Sequence, residues 1–133
     1  MNNRYIFKGK RKDNGEWIYG WITTQFRKHT QGELLTKIQS NTFGGGEHLV
    51  NTKTVGQCIG LKNKNGKLIF EGDIVKDTQS GICYFIKWFS EYVCYSLANK
   101  DGEMNFGCNE LEMFLDDLDV VGNIHDDLLE VER

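Results

Sequence analysis

The stretch Thr54 to Lys76, TVGQCIGLKNKNGKLIFEGDIVK, constrains the fold more than any other part of the chain. Three apolar runs are broken by four glycines, Gly56, Gly60, Gly66 and Gly72, each where an extended chain has to bend or turn. Asn65-Gly66 is a strong turn signal, because both residues tolerate the positive φ of a tight reversal. Leu68-Ile69-Phe70 resumes in extended form, and Glu71-Gly72-Asp73 breaks it again before Ile74-Val75. Strand, turn, short strand, turn, strand is the local pattern of a small barrel.

Towards the N-terminus, Tyr5-Ile6-Phe7 reads as a first strand, followed by a basic turn with Asp13-Asn14-Gly15 at its tip. Trp17 to Thr24, WIYGWITT, is a second strand rich in aromatic and β-branched residues, with Asn14-Gly15 as the hairpin reversal. Residues 25–51 are read as a strand around Leu34, Leu35 and Ile38, then a loop at Phe43-Gly44-Gly45-Gly46 and an extended Glu47-His48-Leu49-Val50. The glycine triplet lacks the helix start and lysine of a phosphate cradle.

Beyond the central stretch, Ile82 to Phe89 and Tyr92 to Ala98 form a strand pair turning near Ser90-Glu91. Asp101-Gly102 turns the chain again into Glu103 to Gly107. One short helix is expected near 109–118: Asn109 caps it, Glu112 completes a capping box, and Leu111, Phe114, Leu115 and Leu118 share a face. Asp119 to His125 closes the domain as a last strand with a Gly-Asn bend.

Three blocks resemble the YopX family of bacteriophage and prophage proteins. They are FKGKRKDNGEWIYG at residues 7–20, the T-V-G-Q to E-G-D-I-V run at 54–75, and V-V-G-N-I at 120–124. The chain departs from the family pattern at Thr52, where a proline is frequent, at Cys58, where an aromatic is frequent, and at Asp126-Asp127, where Asn-Pro is common. The resemblance implies a small-barrel architecture and a phage or prophage origin, and carries no established activity. The expected fold is mainly β: a small SH3-like barrel or roll, N-terminal strands packed on it, and one short C-terminal helix. Length makes the chain a single domain. Within it, residues 1–53 supply N-terminal strands and a loop, 54–125 the barrel-like core, and 126–133 an acidic tail.

Charge is unevenly placed. Residues 1–109 hold fifteen Lys/Arg against ten Asp/Glu, whereas 110–133 hold one Arg against nine acids. A solvated acidic face is the plain reading. The sharper one is self-association, with one chain's acidic end against another's basic start at Lys8, Lys10, Arg11 and Lys12. Met1-Asn2-Asn3-Arg4 lacks the apolar core of a signal peptide, and no run is long enough to span a membrane. The expected location is therefore the bacterial host cytoplasm, with Cys58, Cys83, Cys94 and Cys108 as reduced thiols. Cys83 and Cys94 are expected to be packed small side chains that can meet across a hairpin.

No catalytic constellation emerges. The three histidines and four cysteines show no ligand pairs at zinc spacing, so neither metal nor cofactor is expected. Ser80, Ser90 and Ser96 lack a nucleophile elbow. Glu71 and Asp73 flank Gly72 and suggest a metal-assisted hydrolase, but an Asp after such a glycine usually bonds its own turn.

The aromatics are the better lead. Alternation places Trp17, Tyr19 and Trp21 on one side of a strand, and Ile18, Gly20 and Ile22 on the other. Beside Lys8, Lys10 and Arg11, such a stripe suits a protein partner or the stacked bases of single-stranded nucleic acid. The formal charge of −3 disfavours the nucleic acid. Because large aromatics are on average well buried, the stripe is expected to be core, with burial at Trp21 and contact at Trp17 nearer the turn. A non-enzymatic binding module, probing a host or phage protein and forming a homo-oligomer, is the function these features favour.

Overall fold

The computed structural model describes residues 3–27, 32–107 and 110–126. The chain forms two compact units, Met1–Cys58 and Ile59–Arg133. Among the described residues, ten strands make two antiparallel sheets, one with the order β4-β3-β2-β1-β5-β6 and the other β10-β7-β8-β9.

The first unit contains β1 (Phe7–Lys10), β2 (Trp17–Arg27), β3 (Leu34–Ser40), β4 (Glu47–Val50) and the start of β5 (Gly56–Lys62). Strand β1 starts two residues later than the sequence suggests and runs through Lys10, with Lys8 and Lys10 on one side and Gly9 turned toward Val50 and Ile38. The β1–β2 ladder pairs Phe7 with Gly20, Lys8 with Tyr19, Gly9 with Ile18 and Lys10 with Trp17. At Gly20 a Cβ would stand 1.7 Å from the Gln39 carbonyl oxygen, so only glycine lets β2 and β3 approach so closely. The sheet curls until the end of β1 meets edge strand β4: Arg11 bridges Val50, the Lys12 amide donates to the Leu49 carbonyl at 3.0 Å, and the Asn51 amide donates to the Lys10 carbonyl at 2.8 Å. Inside the curl sit Ile18, Ile38 and Val50, flanked by Phe7, Ile22 and Val55.

The second unit begins as β5 continues to Lys62. It then adds β6 (Leu68–Phe70), β7 (Asp73–Asp77), β8 (Cys83–Phe89), β9 (Cys94–Ala98) and β10 (Leu118–Asn123). Turns at Gly66 (φ 78°) and Gly72 (φ 88°) separate β5, β6 and β7 as expected, whereas Gly56 and Gly60 lie within β5. The second unit's core is Ile59, Ile69, Val75, Tyr84, Ile86, Leu97, Leu111 and Leu118. The short helix is present as a 3₁₀ turn, Leu111–Asp117, with Leu111 buried. Its position before the first turn is taken by Glu110 without a side-chain cap; the expected cap Asn109 lies outside the described residues. The mainly-β expectation holds, but no strand pairing among the described residues closes either sheet into a barrel. The bridge from Arg11, just past β1, to Val50 in β4 is a single pair wide.

A buried polar link joins the neighbouring strands β7 and β10. Asp73, 1% exposed, opens β7, and Asn123, 2% exposed, ends β10 directly opposite it. The Asp73 carboxylate accepts from the Phe70 amide at 2.9 Å through Oδ2 and from Asn123 Nδ2 at 3.0 Å through Oδ1. Gly72, at φ 88°, donates its amide to the Ile86 carbonyl and accepts from the Ile124 amide. A side chain there would crowd the Asn123 amide at 3.3 Å as well as strain the backbone.

Glu71, beside this link, is half-buried, and burial raises its pKa above the ordinary carboxylate value. A carboxyl with a raised folded pKa contributes most below its unfolded pKa, and that contribution is lost as pH rises through the folded value. Ionised Glu71 therefore weighs against the fold at neutral pH. Glu71→Gln is expected to raise the melting temperature at pH 7, with the gain vanishing in melts below about pH 4, where Glu71 is protonated in both states. A lower melting temperature at pH 7, or a gain independent of pH, contradicts this.

Candidate functional site

The outward face of the first unit follows from the β1–β2 register. Residues directly opposite in an antiparallel pair share a face, so Lys8 stands with Tyr19 and Lys10 with Trp17. Ile18 is 7% exposed and faces the core, whereas Tyr19 and Trp21 are 39% and 44% exposed. The isoleucines point inward and the aromatic stripe points out, contrary to the expectation that the stripe is core.

Burial along the stripe also runs opposite to expectation. Trp17 is half-buried and Trp21 exposed. The ladder with β1 explains this. Lys8 Nζ lies 4.6 Å from the Trp17 ring centroid and 5.8 Å from that of Tyr19, and Lys10 Nζ lies 5.4 Å from Trp17. The lysine stems cover Trp17 while their ammonium groups sit over its π face. The ladder ends at Phe7 and Gly20, so Trp21 lies beyond the cover of β1. Lys8 itself is only 6% exposed, which makes it a buried prop for the rings more than a surface charge.

Arg11 does not join this group. Its guanidinium forks onto Asp13, with Nε to Oδ1 at 2.9 Å and Nη2 to Oδ2 at 2.6 Å. This pairing holds the Asp13 carboxyl below its usual range and raises the Arg11 pKa. The pair braces the hairpin turn. Five of the six residues singled out from sequence therefore share one face.

Sequence reading missed the other half of that face. Trp21 stands opposite Gln39, which in turn stands opposite Glu47, and Lys37 stands opposite Leu49. Glu47 accepts a hydrogen bond from Thr23 and lies 3.9 Å from Lys37. An open depression of about 460 Å³ is lined by Lys12, Asp13, Lys37, Glu47, His48 and Leu49. Its charges are largely matched: Lys12 pairs with Glu33 and Asp13 with Arg11. Only the β2–β3–β4 register reveals these neighbours, and a bulge between Ile22 and Thr24 hides that register from alternation alone.

The other candidates resolve into structure. Asp73 spends both carboxylate oxygens on its turn and on Asn123. Among the described residues, no three His, Cys, Asp or Glu side chains gather as metal ligands. Ser96 is buried and donates to the Phe106 carbonyl, and Ser80 donates to Asp77. His29 lies outside the described residues.

A model of the YopX protein family matches residues 2–130. The chain belongs to the YopX family. No curated protein matches it. The three YopX-like blocks have distinct tasks in this structure. The first builds the β1–β2 hairpin with its lysine-propped rings, and the second and third meet through Asp73 and Asn123. Of the described residues, no helix is long and apolar enough to cross a membrane.

The thiol expectation needs correcting. Cys94 is disulfide-bonded, while Cys58 and Cys83 are free; Cys108 lies outside the described residues. Cys83 begins β8 on its exposed side, before the core positions Tyr84 and Ile86, so it is not packed. A thiol reagent should label Cys83 rapidly in native protein, and Cys58, with no exposed surface, only on unfolding. Peptide mapping of the labelled chain checks this. Equal rates at the two sites contradict the structure.

Proposed function

We propose that this YopX-family chain is a non-enzymatic binding module, a phage or prophage accessory factor that acts in the host cytoplasm as a homo-oligomer. The observation that supports this reading is the exposure of Tyr19 and Trp21 on a rigid strand whose opposite side is closed core. Exposed aromatic rings on a fixed backbone are the usual anchors of protein interfaces, since they bury large area at small entropic cost. Lys10 and the Gln39–Glu47 pair give the rings a polar rim. A host or phage protein that meets the same face is an extension of this reading. The finer architecture we propose for the second unit is a barrel-like roll, on the strength of its meander β7–β8–β9 followed by a 3₁₀ turn and a returning strand.

Two other functions find less support. The lysines that would meet phosphates are drawn over Trp17, whose π face they occupy, and this counts against base stacking there. A hydrolase using Asp73 would have to break the turn it holds.

Trp21→Ala is the test. A ring 44% exposed on a contact face should leave the melting temperature nearly unchanged, while the mass measured by light scattering falls to that of one chain. An early-melting variant contradicts the placement of Trp21. A stable variant with unchanged mass contradicts the face as the site of association.

A further inference from the structure

The division of charge coincides with the division of the fold. Residues 1–58 carry nine Lys/Arg against four Asp/Glu, and residues 59–133 carry seven against fifteen. The first unit is thus +5 and the second −8, summing to the formal −3. Oppositely charged units in one chain make two copies mutually attractive by unlike ends.

The second unit also presents a specific acidic surface. The 3₁₀ turn Leu111–Asp117 sinks Leu111 into the core, and Leu118 after it is buried too. Glu110 is held by the Gly107 amide and Asp117 by Gln79. Glu112 and Asp116 remain exposed, and among the described residues neither forms an ion pair. Between them Met113 is 76% exposed, an apolar side chain that the turn's own core does not use. Acidic groups beside an exposed thioether complement a face on which Lys10 stands next to Trp17 and the exposed rings of Tyr19 and Trp21, since a methionine sulfur packs well at a ring edge.

We infer that the lysine–aromatic face of the first unit docks the acidic turn Glu112–Met113–Asp116 of a second copy of this chain. Met113 meets Trp21 and Tyr19, and the carboxylates meet Lys10 and its surroundings. This rests on the binding-face reading given above and adds the identity of the partner surface. Because the two patches differ, the contact is heterologous: each copy keeps one of each patch open to the next, and assembly proceeds to a ring or a filament. Attraction between exposed charges also makes the assembly weaker as salt is raised.

Charge reversal tests it on the full chain. Lys10→Glu and the double variant Glu112→Lys/Asp116→Lys are each measured by sedimentation velocity, alone and mixed, at low and high salt. The expected result is that wild type assembles at low salt and dissociates as salt rises. Each variant alone stays monomeric, and the equimolar mixture assembles, because each altered patch then finds its complement on the other chain. Should Lys10→Glu melt early, the exposed Glu112→Lys/Asp116→Lys chain decides alone: it must lose the assembly that wild type shows. If that chain assembles like wild type, the acidic turn is not the partner and the inference falls. In that case loss of assembly in Trp21→Ala still upholds the binding face. A wild-type chain that is monomeric at every concentration and salt overturns the inference as well.

Discussion

The hydrogen bond between Asn123 and Asp73 is the constraint on which the second unit depends. A carboxylate with almost no exposure is costly unless its oxygens are satisfied, and here one turns the chain at Phe70 while the other accepts from Asn123 on the edge strand β10. Two segments fifty residues apart are thereby fixed in register. The surrounding backbone bonds of Gly72, to Ile86 and from Ile124, require the positive φ that glycine supplies. The E-G-D and G-N-I motifs of the family are therefore two halves of one joint, and their chemistry is structural.

The first unit solves a different problem. Its sheet has to curl tightly enough for β1 to reach β4, and small residues at Gly9 and Gly20 make room for that. Once Ile18, Ile38 and Val50 fill the inside, alternation forces Tyr19 and Trp21 outward. The lysines of β1 then prop the ring nearest the turn and leave the farther one uncovered. An exposed aromatic face emerges from the same periodicity that builds the core. In the proposed self-association, the basic first unit and the acidic second would supply the attraction between copies.

Much of this was legible in the chain. Asn14-Gly15 and Asn65-Gly66 mark turns because few other pairs accept the backbone geometry, and Gly15 and Gly66 adopt φ of 74° and 78°. The structural role of Asp73 followed from its position after Gly72, although its partner Asn123 required the topology. The inward isoleucines were open to either reading, since alternation names two faces without saying which is covered. Other features leave no local trace. Val93 takes φ 52° in the β8–β9 turn, a conformation a β-branched residue resists, and nothing in Ser90-Glu91-Tyr92-Val93 announces it. The exposure of Cys83 depends on which side of β8 it falls, and so on register.

Asp73 and Asn123 act as one unit, and a double-mutant cycle measures this directly. Denaturant unfolding of wild type, Asp73→Ala, Asn123→Ala and the double variant gives the coupling energy between the two side chains. Coupling of about 1–3 kcal/mol is expected, with the double variant less destabilised than the sum of the singles, because each single leaves a buried polar partner unsatisfied. Additive losses, with coupling within experimental error of zero, would contradict it.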